Sequence, residues 1–340
     1  MSEERKQPYI GGQAVIEGVM MRAPGCLSVA VRRPDDSIVV REGPMTSKLA
    51  KSKLWKLPFF RGVATLVESL SVGYGALRFS AEQQLTEEER AEAGEGKGMM
   101  VITTLIALGL FMAAPQAAAE GVSRLLGVEL AVDQWQFHAL TGGFKLLIFT
   151  LYLFAISRLP DVRRVFQYHG AEHKTIFAYE QGLPLTVENV RKQSTLHPRC
   201  GTTFLIVVIF VSVIAGTIVT PLFMPEWATG RFEQNLITLA VRIALLPPVA
   251  AMSYELQRLS ARYCTTGPLQ VLLWPGFLFQ KITTREPDDS QLEIAITAMR
   301  AAIWREENEA AAADEEPLVF DSFSSFVEGV ESSLRPAAEA

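Results

Sequence analysis

The sequence is poor in cysteine, in histidine and in charge. Its 340 residues include only three cysteines, too few for the disulfide framework of a secreted protein. They fit a reducing, cytoplasm-facing setting. Charged residues make up 20% of the chain and the net charge is −5, whereas nucleic-acid-binding domains are typically basic. We therefore expect no nucleic acid as a partner.

Charge is almost absent from four long apolar stretches. A bilayer core requires roughly 20 apolar residues in a helix, and each stretch reaches that length. The second and fourth each contain one basic residue, Lys145 and Arg242. The sequence predicts a mainly α, polytopic membrane protein with about four transmembrane helices. The predicted spans cover 98–119, 138–157, 201–225 and 235–254.

Basic residues are distributed unevenly between the predicted loops. The segment 158–199 contains seven Lys or Arg residues, while 120–137 and 226–234 contain one each. Cytoplasmic loops carry the excess of Lys and Arg. We therefore predict that 158–199 is cytoplasmic and that both termini are cytoplasmic, in a multi-pass membrane protein. Membrane lipids are then its immediate partners.

The predicted N-terminal segment, 1–53, contains a small β-hairpin unit. Residues 27–33 and 37–42 have strand patterns, and Pro34-Asp35-Asp36 between them is typical of a turn. The glycines before this hairpin permit turns or close backbone approach, but they match no phosphate-loop spacing. An interfacial amphipathic helix over 54–79, which lies on the membrane or on the protein's own helices, and a charged linker complete a second segment, 54–97.

The predicted four-helix region, 98–255, is followed by two further segments. In 256–304, the apolar run 269–280 is too short to cross a bilayer, so we expect a re-entrant or interfacial element, or a buried hairpin. An amphipathic helix over 288–304 follows it. The segment 305–340 is strongly acidic, which predicts a disordered tail; the alternative is a short docking helix formed by Phe320, Phe323 and Phe326.

The segment 167–174 carries the main chemical signature, H-x-x-E-H, the inverse of the thermolysin-type motif. On a helix His169 and His173 share one face, and two such imidazoles can bind Zn²⁺. Glu172 could deprotonate a metal-bound water as a general base. The alternative is that both histidines face lipid headgroups.

Three further residues compete to complete the predicted metal site. His197 and Cys200 have the H-x-x-C spacing of a chelate, and a thiolate suits Zn²⁺. Glu255 closes the fourth predicted span and matches the downstream Glu of inverse zincins. The predicted topology brings all of these residues to one membrane face. The sequence leaves their order of preference open.

Three basic side chains lie within the predicted spans. Arg242 at the bilayer centre costs roughly 2.5–3.5 kcal/mol, so we expect it inside the bundle with a partner, near a break at Pro247-Pro248; a snorkelling arginine is the alternative. For Lys145 we favour snorkelling. We interpret His138 as an interfacial residue and not as a ligand.

Several long motifs resemble the YqhQ-like family of bacterial membrane proteins, a domain of unknown function numbered 1385. They cover residues 11–20, 166–174, 185–190, 196–201 and 283–287. The resemblance extends over about 9–304 and implies a multi-pass protein of the bacterial cell (inner) membrane in which the polar loop is important. The family's label of metal-dependent enzyme rests on the same His, Glu and Cys residues, so it implies no particular reaction.

Three functional hypotheses follow from the sequence. The first is a metal-dependent, hydrolase-like enzyme that uses zinc or another divalent metal at the cytoplasmic interface. The second is a non-enzymatic transporter or scaffold with a structural metal. Because four spans are few for a transporter, this hypothesis requires a homo-oligomer. The third has no metal, and the polar loop binds lipid headgroups or a partner. The substrate stays unknown.

Overall fold

The structure is a computed structural model, which describes residues 8–45, 57, 60–86, 88–89, 97–128, 130–264, 268–308 and 316–333. It is mainly helical and has one small antiparallel sheet, as the sequence predicted. The five strands are β1 Gly11–Val15, β2 Gly18–Arg22, β3 Cys26–Arg32, β4 Ile38–Pro44 and β5 Leu318–Phe320.

Twelve α-helices are present in the described part of the chain. The first six are α1 Phe60–Gln83, α2 Lys97–Leu108, α3 Ala114–Leu125, α4 Trp135–Ile156, α5 Pro160–Glu180 and α6 Val187–Arg191. The others are α7 Gly201–Val219, α8 Arg231–Ala244, α9 Leu246–Tyr263, α10 Trp274–Thr283, α11 Asp289–Glu307 and α12 Phe323–Ser333. A π-turn, Gly109–Ala113, joins α2 to α3.

The sheet is an antiparallel meander in the order β1-β2-β3-β4-β5. The predicted hairpin of β3 and β4 is confirmed. The glycine-rich segment before it, for which the sequence predicts turns or close backbone approach, forms a second hairpin, β1–β2. Glu17 occupies the turn with φ +49°, a conformation that is uncommon outside glycine.

The acidic tail contains a strand and a helix, whereas its composition predicts a disordered segment. Its strand β5 pairs with β4 at the edge of the sheet. In α12 the Phe326 side chain is only 1% exposed and contacts the main core. Burial of aromatic surface therefore orders 318–333 despite the acidic composition around it. Residues 309–315 and 334–340 lie outside the described residues.

Helix α11 is the centre of the polar half of the molecule. It begins with a capping box in which Asp288 accepts from the Gln291 N–H. Of the predicted apolar stripe, Leu292, Ile296 and Met299 are completely buried, and Ile303 is partly buried against the same core. This core lies between α11, the sheet and α5, so the first and last segments of the chain form one unit.

The apolar half contains three helices long and apolar enough to cross a membrane, and a fourth candidate that is bent. The three are Val101–Leu125, Trp135–Ile156 and Gly201–Phe223. The fourth consists of Arg231–Ala244 and Leu246–Ser260, which meet at 49°. The predicted break at Pro247-Pro248 is present. Helix α8 ends at Ala244, α9 begins at Leu246, and the two prolines lie in the first turn of α9.

The basic residues of the apolar helices have polar neighbours. Arg242 is buried, and its guanidinium donates to Gln116 Oε1 and His138 Nδ1, both at 3.0 Å. The interfacial interpretation of His138 is wrong, because this side chain is 1% exposed. Lys145 was expected to snorkel, but its Nζ lies 3.5 Å from Ser212 Oγ on α7.

Helix α1 buries a face of small residues. Gly62 packs against the Ala251 backbone of α9, and Gly73 packs against Gln13 of β1. Its large apolar side chains, such as Leu70 and Tyr74, are exposed. This exposed face supports the predicted interfacial helix; Trp55 and Phe59 of the same prediction lie outside the described residues. The short run 269–280 forms a 3₁₀ turn, Pro268–Leu273, and most of α10.

Candidate metal centre

Helix α5 positions the two histidines of the H-x-x-E-H motif. Pro160 begins the helix and Asp161 lies in its first turn, where a negative charge is favourable. His169 Nδ1 lies 2.8 Å from the carbonyl oxygen of Thr283, and His173 Nδ1 lies 2.5 Å from that of Thr195. A carbonyl only accepts, so each Nδ1 carries the proton. Each Nε2 therefore keeps its lone pair for a ligand.

Cys200 brings a thiol to the same place from another element. It is the N-cap of α7, and its sulfur accepts from the Thr202 N–H. Cys200 Sγ lies 3.3 Å from His169 Nε2, although the two residues are 31 positions apart.

The ligand atoms of His169, His173 and Cys200 all lie within 4.8 Å of one another. In a tetrahedral zinc site, Zn–N distances of about 2.0–2.1 Å and a Zn–S distance of about 2.3 Å place ligand atoms roughly 3.3–3.8 Å apart. Two imidazoles and one thiolate are a suitable donor set for Zn²⁺. Three protein ligands also leave a fourth position open, which is the arrangement of catalytic zinc sites.

Glu172 lies on the same side of α5 and is 5% exposed. The Ala14 N–H of β1 donates to its carboxyl group. Its Oε2 has no hydrogen-bond partner in the described part of the chain. Burial raises the pKa of this carboxyl group, and the neighbouring His169 and His197 partly oppose the rise.

Gly12 makes room for this carboxylate. A Cβ at Gly12 would lie 2.6 Å from Glu172 Cγ, too close for any other residue without movement. The glycine-rich segment therefore contributes to the site by close backbone approach. Sequence reasoning named close approach as one use of these glycines but did not connect them with Glu172.

His197 lies beside the three clustered ligand atoms and not among them. Its ring centroid is 5.6 Å from that of His173. Buried Gln280 fixes its backbone, accepting from the N–H and donating to the carbonyl oxygen. His197 Nε2 has no hydrogen-bond partner among the described residues. Burial lowers the pKa of His197 to about 4, with Glu172 opposing the shift.

The structure does not bring Glu255 to this cluster. Its carboxylate forms a bidentate ion pair with Arg61 of α1, with N–O distances of 2.6 and 2.5 Å. The pair fastens α1 to α9. The sequence predicts Glu255 on the same membrane face as the histidines but could not show that it pairs with Arg61, and we leave it out of the ligand set.

Apart from Glu255, the predicted site residues share one cavity of about 420 Å³. Its wall includes His169, Glu172, His173, His197 and Cys200. The cavity is of a size that suits a small-molecule ligand. Sequence reasoning missed Thr195, Thr283 and Gln280, because backbone carbonyls and a single buried amide leave no pattern in a sequence.

Comparison with known proteins places these residues in a family. The family model described as "Protein of unknown function (DUF1385)" matches residues 57–305. The chain belongs to the DUF1385 family. It is also 35% identical, over 310 residues, to the "Uncharacterized protein YqhQ" of Bacillus subtilis (strain 168), covering 87% of this chain and 92% of the relative. No solved structure matches the chain.

The DUF1385 match includes the clustered ligands, Glu172 and the segment 283–287. That segment packs directly against α5, because a Cβ at Gly170 would collide with the Arg285 carbonyl oxygen. Buried Lys174 binds Glu286 at 2.5 Å. The strands β1–β4 lie outside the family match, yet their Gly12 and Ala14 contact Glu172. The complete site therefore requires the N-terminal sheet as well.

Proposed function

We propose that this DUF1385 protein is a membrane-spanning, metal-dependent hydrolase. The observation that carries the proposal is the convergence of His169 Nε2, His173 Nε2 and Cys200 Sγ beside Glu172. Both histidines are oriented by backbone carbonyls, so the imidazoles face the site in the tautomer that a metal requires. A histidine pair that served only packing would not require this common orientation.

The proposed location is the cytoplasmic face of the bacterial cell membrane. Three helices of spanning length and the bent pair α8–α9 support insertion. The seven basic residues of 158–199, against one in each loop of the opposite side, favour a cytoplasmic α5. Cys200 caps the first turn of α7, so the site lies where that helix enters the bilayer.

Hydrolysis assigns different roles to the side chains of this cavity. His169, His173 and Cys200 would hold zinc or a similar divalent ion, which would supply Lewis acidity to the site. Glu172 would accept the proton of an attacking water through its unpaired Oε2. Burial raises the pKa of this carboxyl group, which makes its carboxylate a stronger base than an exposed one. Uncharged His197 can bind a polar group of the substrate.

Cobalt substitution tests the ligand set. Full-length protein purified in detergent and loaded with Co²⁺ should show a thiolate-to-cobalt charge-transfer band. Cys200→Ser should abolish the band, and Cys264→Ser should keep it, because buried Cys264 lies outside the cluster. A band that persists in Cys200→Ser would remove the thiolate from the ligand set.

Glu172→Gln separates the enzyme from a structural metal protein. The protein in lipid nanodiscs should hydrolyse at least one member of pooled ester, amide and phosphoester lipids. Glu172→Gln should keep the metal and lower turnover by about 10²–10⁴-fold, the usual contribution of a general base. Equal turnover in both proteins would contradict the role of Glu172. Full metal content without any turnover in the wild type would favour the structural reading.

A further inference from the structure

A second cavity lies among the apolar helices, and of its lining residues Leu205 also lines the cavity of the candidate metal centre. Its volume is about 380 Å³. Each apolar element contributes to its wall: Phe111 from the π-turn, Phe149 from α4, Val208 from α7 and Val249 from α9. The cavity is therefore enclosed by every helix that we propose to span the membrane.

Two irregularities of the helices open on this cavity. The π-turn Gly109–Ala113 contributes Phe111 and Met112, and the break between α8 and α9 contributes Leu245 and Leu246. π-turns are rare and are frequent at functional sites. A break in an apolar helix is tolerated where it lines a cavity. Both irregular segments therefore line the same cavity.

Two cations, Lys145 and Arg242, line this otherwise apolar space. Arg242 donates to the neutral acceptors Gln116 and His138, and Lys145 has only a 3.5 Å contact with Ser212. Among the described residues neither forms an ion pair. The two cations also repel each other. Charges inside membrane helices are costly and mark binding sites or paths of ligands.

Glu120, the acidic residue of α3, does not neutralise Lys145 or Arg242. Glu120 pairs instead with Arg124 at 2.8 Å and lies 3.7 Å from Arg231. The ion pairs of Glu120 are therefore with Arg124 and Arg231 and not with the two cations of the cavity. The cavity is left with two positive charges and no carboxylate in its described lining, which favours an anion as its occupant.

The mouth of the cavity determines which kind of anion can enter. Tyr152 of α4 and Leu246 of α9 line the cavity and are 40% and 38% exposed. The opening is thus on the apolar exterior of the helices and would face lipid. A small hydrated anion would lose its water there without compensation, whereas an acyl chain would gain contact with the aromatic wall.

We propose that this cavity binds a single-chain anionic amphiphile. Lys145 and Arg242 hold its carboxylate or phosphate, and its chain lies against Phe111, Phe149 and Val208. The same chemistry is offered by a fatty acid and by a lysophospholipid with a terminal phosphate. The site is functionally distinct from the proposed metal centre. It accounts both for the bend in the fourth span and for the presence of Arg242 within that span.

Equilibrium binding to full-length, metal-free protein tests this proposal. The protein is placed in phosphatidylcholine nanodiscs, and empty discs provide the background. Four radiolabelled probes are used: palmitate, 1-palmitoyl lysophosphatidate, methyl palmitate and inorganic phosphate. We expect saturable binding of palmitate or lysophosphatidate, and the tighter of the two identifies the headgroup. Binding of methyl palmitate equal to that of palmitate, binding of phosphate alone, or no saturable binding would each overturn the proposal.

Variants assign the binding to this cavity. Lys145→Gln should weaken binding of the tighter probe by about tenfold or more, the usual value of a charged hydrogen bond, while Lys145→Arg should retain it. Exposed Lys281 of α10 provides the control, and Lys281→Gln should bind like the wild type. If Lys145→Gln does not fold, Val208→Trp, which fills the cavity, replaces it. Wild-type affinity in the folded variant would overturn the assignment.

Discussion

The candidate metal centre and the network in the apolar helices both use histidine, but with opposite tautomers. In the metal centre, the Nδ1 atoms of His169 and His173 donate to carbonyl oxygens. In the apolar helices, His138 Nδ1 accepts from the guanidinium of Arg242. Because Arg242 can only donate, the proton of neutral His138 is on Nε2.

This difference shows how the neighbour of one ring nitrogen decides what the other can do. A carbonyl neighbour leaves Nε2 with a free lone pair, which is what a metal requires. A guanidinium neighbour occupies the lone pair of Nδ1 and leaves an N–H at Nε2. His138 is therefore an acceptor for a buried cation, and only the histidines of α5 are prepared as ligands.

Metal content gives the largest expected contrast between the two regions. Replacing both His169 and His173 with alanine leaves one clustered ligand, so the purified protein should retain less than about a tenth of an equivalent of zinc. His138→Ala should retain the wild-type content. Inductively coupled plasma mass spectrometry measures both. Equal metal content in the double variant and the wild type would contradict the claim that only the histidines of α5 are metal ligands.

A smaller effect is expected from the glycine that accommodates Glu172. Gly12→Ala forces its Cβ against the buried Glu172 side chain, so it should destabilise the protein by about 1–3 kcal/mol, the usual cost of overpacking. Gly11→Ala is the matched control, because a Cβ at Gly11 would have nothing within 4 Å. Denaturant unfolding in detergent measures both. Equal stability of the two variants would show that β1 does not confine Glu172.

The smallest effect concerns the Arg242–His138 pair. Arg242→Met leaves His138 Nδ1 and Gln116 without their donor and should cost about 1–2 kcal/mol. Adding His138→Leu should cost less than the sum of the single changes, because the unpaired acceptor is then removed. Unfolding in mixed detergent micelles provides the three free energies. Strict additivity would mean that the two side chains act independently.

Periodic features of the fold could be predicted from the sequence. The β3–β4 hairpin, the apolar helices and the break before Pro247 all follow from local patterns of polarity and turn residues. The tail 318–333 could not be predicted in this way. Its strand forms only because the β4 edge is available, and its helix is held by the burial of Phe326. Such long-range contacts do not appear in local composition.

The candidate site was predictable in part for the same reason. Helical spacing placed His169 and His173 on one face, and topology brought Cys200 near them. Partner choice was not predictable: Glu255 pairs with Arg61, and His138 with Arg242. Such choices depend on the distance between helices, about which the sequence contains no periodic signal.

The meeting of β3 with α11 has a consequence for biosynthesis. Cys26 donates to the Ala302 carbonyl oxygen, 276 positions further along the chain, and β4 gains its neighbour β5 still later. When the first hairpins leave the ribosome, the helix that covers them has not been made. The N-terminal strands therefore keep an unpaired edge and an exposed apolar face until synthesis is nearly complete. Such an interval favours aggregation, and the early sheet would gain from a chaperone until α11 arrives.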